Sequence, residues 1–193
     1  MAEKVLKRKI TLKRKEEQGF SFNELLKIKL FWQSQTDLDL CLFFKKKNGE
    51  IGGIFSNEYR NLISDLGNLN RFPFMEHMGD RKEPAPGGTE NEQINIVRLD
   101  EIEIAYICIV NYDAAIEGRD VTFAQESGRI IIESDTEENN LEVAVDSNDT
   151  GHVYCVCSIR NLGERNILKN EYRVMSINTA FEEIPGFELI VNS

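Results

Sequence analysis

The chain has 193 residues, 41% hydrophobic and 29% charged: enough for one domain with a substantial core, too apolar for a disordered tail and too polar for a membrane protein. Its 23 basic and 33 acidic residues leave a net charge of −10. A nucleic-acid backbone or an anionic bilayer would be repelled as main partner, whereas cations would be attracted.

No run approaches about eighteen consecutive apolar residues, and residues 1–18 lack the apolar centre of a signal peptide, so the expectation is a cytoplasmic chain without a membrane span. Cys41, Cys108, Cys155 and Cys157 include no C-x-x-C pair and read as reduced core thiols. Charge is polarised. Residues 1–15 carry Lys4, Lys7, Arg8, Lys9, Lys13, Arg14 and Lys15, whereas 126–149 carry eight acids against Arg129; both runs read as solvated faces and loops.

Short runs rich in Ile, Val, Phe and Leu alternate with polar residues, the period-two signature of half-buried strands. In chain order the expected strands are Lys9 to Lys13, Leu25 to Phe31, Leu38 to Lys45, Ile51 to Phe55, Gln93 to Leu99, Ile102 to Asn111, Gly128 to Glu133, Leu141 to Val145, His152 to Ile159 and Tyr172 to Ile177. Asn48-Gly49 predicts a hairpin through a tight primed turn. Helical spacing of Tyr59, Leu62, Ile63 and Leu66 predicts a short helix over 57–66, and a second short one is expected after Asp113. Strands without long crossover helices cannot build a parallel sheet, so the expected fold is all-β. It is a β-sandwich of two mostly antiparallel sheets with one or two short helices, forming a single domain over 1–193. The longest irregular stretch, 68–91, holds Pro73, Pro84, Pro86 and Gly79, Gly87, Gly88, and is the first place to seek function.

Signatures of hydrolases, nucleotide-binding loops and zinc proteases are absent, so no enzymatic reaction is expected. His77 and His152 are the two histidines available as neutral-pH bases. Cys155 and Cys157, two apart on a strand, are expected on one face as small buried hydrophobes. Oxygen-rich clusters are more informative, because hard divalent cations such as Ca²⁺ take six to eight oxygen ligands. Asp146 to Gly151 imitates the start of an EF-hand loop, but Cys157 stands where its bidentate Glu belongs, so it reads as a polar hairpin turn. Asp37-Leu38-Asp39-Leu40 places two carboxylates together at a strand head, unfavourable without a neutralising cation or donors; a solvated strand end is the alternative reading. Gly79-Asp80 and Gly87-Gly88-Thr89-Glu90-Asn91-Glu92 bring carboxylates and flexible backbone to the loop before the next strand.

Taken together, these clusters resemble the tellurium-resistance TerD family, which pairs a D-L-D motif with a later H-T-G-D-N…G-x-G-D-D-E stretch. Asp37-Leu38-Asp39-Leu40, following Leu30-Phe31-Trp32, stands for the first motif. His77-Met78-Gly79-Asp80 and Glu90-Asn91-Glu92 stand for the second. Ile109 to Ala114 is similar to the family's V-x-x-x-[DE]-A strand end, Thr122-Phe123-Ala124-Gln125 to its N-F-G-Q, and Thr11 to Arg14, more weakly, to its S-L-x-K opening. The likeness runs nearly end to end. It implies a cytoplasmic β-sandwich that binds Ca²⁺ through acidic loops and takes part in bacterial stress responses, with other stress-resistance proteins as partners. Ligand roles carry over to Asp37, Asp39, Asp80, Glu90 and Glu92, with Asn91 as an amide oxygen and Asp113 as a contributor from the neighbouring strand.

Departures from the family pattern remove negative charge. Arg81 stands for its Asn, Lys82-Glu83-Pro84-Ala85-Pro86 for its acidic stretch, Asn91 for a carboxylate and Gln33 for an Asp. Fewer carboxylates weaken an oxygen site. Two alternatives therefore stand beside calcium binding: a metal-free interaction scaffold on a degenerate site, and a cysteine-dependent enzyme.

Overall fold

The computed structural model describes residues 7–56, 65–79 and 92–192. Among the described residues thirteen strands form two stacked sheets. The first sheet has the order β1 (Arg8–Thr11), β12 (Asn139–Val145), β11 (Gly128–Ser134), β3 (Leu26–Phe31), β8 (Glu92–Ile96), β7 (Met75–His77), β6 (Gly67–Asn68). The second has the order β2 (Glu17–Phe20), β15 (Asn166–Met175), β14 (Val153–Asn161), β9 (Ile102–Val110), β4 (Asp39–Lys46), β5 (Ile51–Ile54). Every pairing within them is antiparallel except β1 with β12. The all-β sandwich that the alternation implies is the observed architecture.

The core lies between the sheets. β3 alternates strictly, with Leu26, Ile28 and Leu30 buried against Leu40, Leu42 and Phe44 of β4 and Ile107 and Ile109 of β9 in one cluster. β4 and β14 instead are buried almost throughout, because their sheet is covered on both faces. The second cover is C-terminal. α2 (Ile177–Glu183) and α3 (Leu189–Asn192) lay Ala180, Ile184, Phe187 and Ile190 over Cys41, Phe43, Cys108, Val110, Val153 and Cys155. Ser176 caps α2 by accepting from the Thr179 N–H at 3.1 Å. No helix is expected there from the sequence, and the strand expected to run to Ile177 stops before α2, which begins at that residue.

Local departures have identifiable causes. The β4–β5 hairpin forms, but Lys46 N–H donates to Glu50 O at 2.7 Å and Gly49 N–H to Lys46 O at 2.9 Å, enclosing three residues. Gly49 alone takes a positive φ (91°), so this is a three-residue bulged loop and not a primed two-residue turn. The segment after β12 is no hairpin: it crosses from one sheet to the other, with β13 (Thr150–Gly151) pairing β10 (Val121–Thr122) on the way. Cys155 and Cys157 do not share a face. A bulge shifts the register between them, so Cys155 joins the layer under the helices and Cys157 the core between the sheets. The expected irregular stretch contains β6 and β7, and the helix expected over 57–66 falls largely outside the described residues. The short helix near Asp113 is α1 (Tyr112–Ile116), capped by Asn111 accepting from the Ala114 N–H at 3.0 Å.

Candidate functional site

Two described members of the acidic clusters open strands: Asp39 is the first residue of β4 and Glu92 the first of β8. β4 begins at Asp39, where the chain enters from a loop that is tied down at both its sides. The Trp32 indole donates from Nε1 to the Thr36 carbonyl at 2.9 Å. Glu126, only 2% exposed on a short 3-10 turn over Ala124–Glu126, accepts from the hydroxyls of Ser34 and Thr36, and its carbonyl accepts from Gln33 N–H at 3.1 Å. A buried carboxylate needs such donors, and these fix the approach to Asp37-Leu38-Asp39. Counting Glu126 among the solvated acids therefore mistook its role; only its place directly after Thr122-Phe123-Ala124-Gln125 sets it apart in the sequence.

Leu38 and Leu40 are wholly buried, so the backbone between them is fixed and Asp39, 8% exposed, is carried to the sheet end. Glu92 opens β8 in register with Leu30 of β3 and is 2% exposed. Its Oε2 accepts the Leu40 N–H at 2.7 Å. β5 pairs only Leu42 to Lys45 of β4, so Leu40 has no strand neighbour on that side and the carboxylate takes the place of one. The contact joins the two sheets through a single buried side chain. His77, on β7 opposite Ile94, accepts the Gly79 N–H on Nδ1 at 3.1 Å, which places the ring proton on Nε2, 3.4 Å from Glu92 Oε2. Glu92 is thereby held by an amide and faced by an imidazole.

Asp113 is half-buried in the first turn of α1, three residues beyond Val110, the register partner of Asp39. Of the seven candidate ligands, then, Glu92 is tied to the start of β4 through Leu40 N–H, Asp39 is the first residue of β4 with Asp37 two residues before it, and Asp113 sits on the helix that follows the neighbouring strand. Asp80, Glu90 and Asn91 lie outside the described residues. Met78 N–H donates to Gln93 O at 2.9 Å, which holds the end of β7 beside the start of β8. Among the described residues no group of three or more His, Cys, Asp and Glu is arranged to hold a metal ion. The donor chemistry suits a hard cation, but a full oxygen set would need groups from 80–91.

The remaining reactive groups sit elsewhere. His152 touches the Arg119 carbonyl at 3.0 Å and lies 4.0 Å from Asp120. Cys41, Cys108 and Cys155 stand in register on β4, β9 and β14, all fully buried. Burial, then the hydrogen bond to Cys155, pushes the Cys108 thiol well above its ordinary range; burial does the same to Cys157. No helix among the described residues is long and apolar enough to cross a membrane.

Comparison with family models, with characterised proteins and with solved structures gave no match.

Proposed function

We propose that the chain is a non-enzymatic Ca²⁺-binding domain of a cytoplasmic bacterial stress response, as its likeness to the TerD family implies. The observation that supports this reading is the Glu92 bond to Leu40 N–H, which puts one candidate ligand beside the strand start that Asp37 and Asp39 lead into, while Asp80, Glu90 and Asn91 lie in the sequence between Gly79 and Glu92. Asp37 and Asp39 would supply carboxylate oxygens, and a bound divalent cation would neutralise part of the net charge of −10. The test is thermal unfolding with Ca²⁺ against Mg²⁺. At one hundred times Kd a ligand stabilises by about 2.7 kcal/mol, about 5–10 °C for a chain of this size. Asp39→Asn should abolish that shift, and no shift at millimolar Ca²⁺ would refute the reading.

A second reading has its own support. The Glu92 carboxylate already accepts Leu40 N–H and faces His77, a stabilisation that needs no metal. On that reading the domain is a metal-free scaffold for a protein partner, and its unfolding is the same in Ca²⁺ and in chelator.

A further inference from the structure

The outward face of the second sheet is only half covered by α2 and α3. Toward β2 it holds a concavity of about 280 Å³, whose lining includes Tyr106, Ser158, Arg160, Lys169, Glu171 and Arg173. The residues follow strand register. Glu17, Lys169, Ser158 and Tyr106 form one row across β2, β15, β14 and β9. Ile167, Arg160 and Ile104 form the next. On the helix-covered half, the strand positions are apolar Cys, Val, Phe and Met; here they are largely polar, although Ser158 and Glu171 are 3% and 8% exposed.

The floor is internally satisfied. Ser158 Oγ donates to Glu171 Oε1 at 2.7 Å, Lys169 Nζ lies 3.8 Å from Oε2, and Lys15 Nζ donates to the Glu171 carbonyl. Arg173 is paired with Glu183. Backbone strain is concentrated around this carboxylate: Lys15 (φ 63°) and Tyr172 (φ 50°) are in the left-handed region that L residues rarely adopt. Glu171 and Tyr172 together oppose one residue, Val156, in the β14–β15 bulge. Two donors remain. Among the described residues neither the Arg160 guanidinium nor the Tyr106 hydroxyl has a hydrogen-bond or ion-pair partner.

We infer that this concavity binds the oxyanion of a small molecule, a carboxylate or phosphate group, with Arg160 and Tyr106 as its donors and Ile104 and Ile167 against its aliphatic part. Of the three cations lining the site, Arg173 is paired with Glu183 and Lys169 lies beside Glu171, which leaves Arg160 as the cation available to a ligand. Arg160 offers a planar fork of donors matched to carboxylate or phosphate. Burial, then the nearby Cys155 and Glu171, raises the Tyr106 pKa, so its hydroxyl stays a donor at neutral pH. The volume suits a small metabolite and is below the usual range of drug-sized pockets. The inference stands independently of the calcium reading, which concerns the sheet end.

The test is amide chemical-shift titration of the full chain with inorganic phosphate and, separately, with butyrate, each to about 50 mM. Saturable shifts at Tyr106, Ser158 and Arg160 are expected with Kd of about 1–10 mM. Saturation by phosphate alone assigns a phosphate ligand and by butyrate alone a carboxylate one. Exposed Arg160→Ala should leave unfolding unchanged and weaken binding about tenfold, and Tyr106→Phe about threefold. Absence of saturable shifts with both probes, or undiminished binding by Arg160→Ala, would overturn the assignment.

Discussion

Glu92→Ala tests the link between the sheets. The substitution strips the acceptor from the buried Leu40 N–H, 2.7 Å from the carboxylate, at a point where β5 no longer flanks β4. Stranding a buried donor costs about 1–3 kcal/mol, and loss of the methylene and carboxyl volume from a site 2% exposed adds about 1 kcal/mol. A loss of about 3 kcal/mol follows, which for a chain of this length lowers Tm by about 6–12 °C. Urea unfolding in chelator isolates this effect from any metal. Native-state hydrogen exchange supplies the residue-specific signature: the Leu40 amide should exchange markedly faster in Glu92→Ala, while amides in the middle of β9 change only with global stability. Glu92→Gln, which keeps an acceptor oxygen and the side-chain volume, should lose about half as much. A Glu92→Ala protein within about 0.5 kcal/mol of the parent, with Leu40 exchange unaltered, would refute the inter-sheet role.

Three further outcomes are expected. Iodoacetamide at pH 8 should label none of the four fully buried cysteines in the folded protein and all four after unfolding; rapid labelling of any one would revive the cysteine-enzyme reading. Phe187→Ala removes a ring packed 5.1 Å from Phe43 and 5.4 Å from Phe181 and should cost about 3–5 kcal/mol, with Cys41, Cys108 and Cys155 becoming reactive before Cys157. Against burial, which raises its pKa, Asp135 is held below the usual carboxylate range by the N–H groups of Asn23, Glu24 and Leu25 at 2.8, 2.6 and 3.2 Å. Its folded-state pKa is depressed, so its contribution is present above the unfolded value of about 3.9 and fades as pH falls through the folded one. Asp135→Asn should therefore be less stable than the parent at pH 7, with the gap closing below about pH 4 in acid-unfolding curves; a gap independent of pH would contradict that role.

The sandwich was legible because its strongest signals are local. The alternation over Leu26 to Phe31 and Glu92 to Ile96 records one buried and one open face, and the Asn48-Gly49 pair marks a reversal whatever its turn type. The third layer was written in the sequence too, but in a different period. Leu38 to Phe44 and Val153 to Ile159 run almost unbroken in buried residues, the mark of strands covered on both faces, and Phe181, Ile184, Phe187 and Ile190 supply the cover. What escaped sequence reading depends on register. The bulge that separates Cys155 from Cys157 has no composition signal, and the row joining Glu17, Lys169, Ser158 and Tyr106 unites four distant segments. Asp37, Asp39 and Glu92 stand out in the sequence as acidic motif residues, whereas the buried role of Glu126 and the Glu92 bond to Leu40 N–H depend on burial that charge counts do not encode.

Calcium at the acidic sheet end, as proposed, is open to direct assay. The assay is metal analysis of the purified full chain, equilibrated with millimolar Ca²⁺ and then passed through metal-free buffer, run side by side with Asp39→Asn. The expected result is about one or two bound Ca²⁺ per chain, lost in the variant. Absence of calcium from the parent, or equal calcium in both proteins, would contradict the claim.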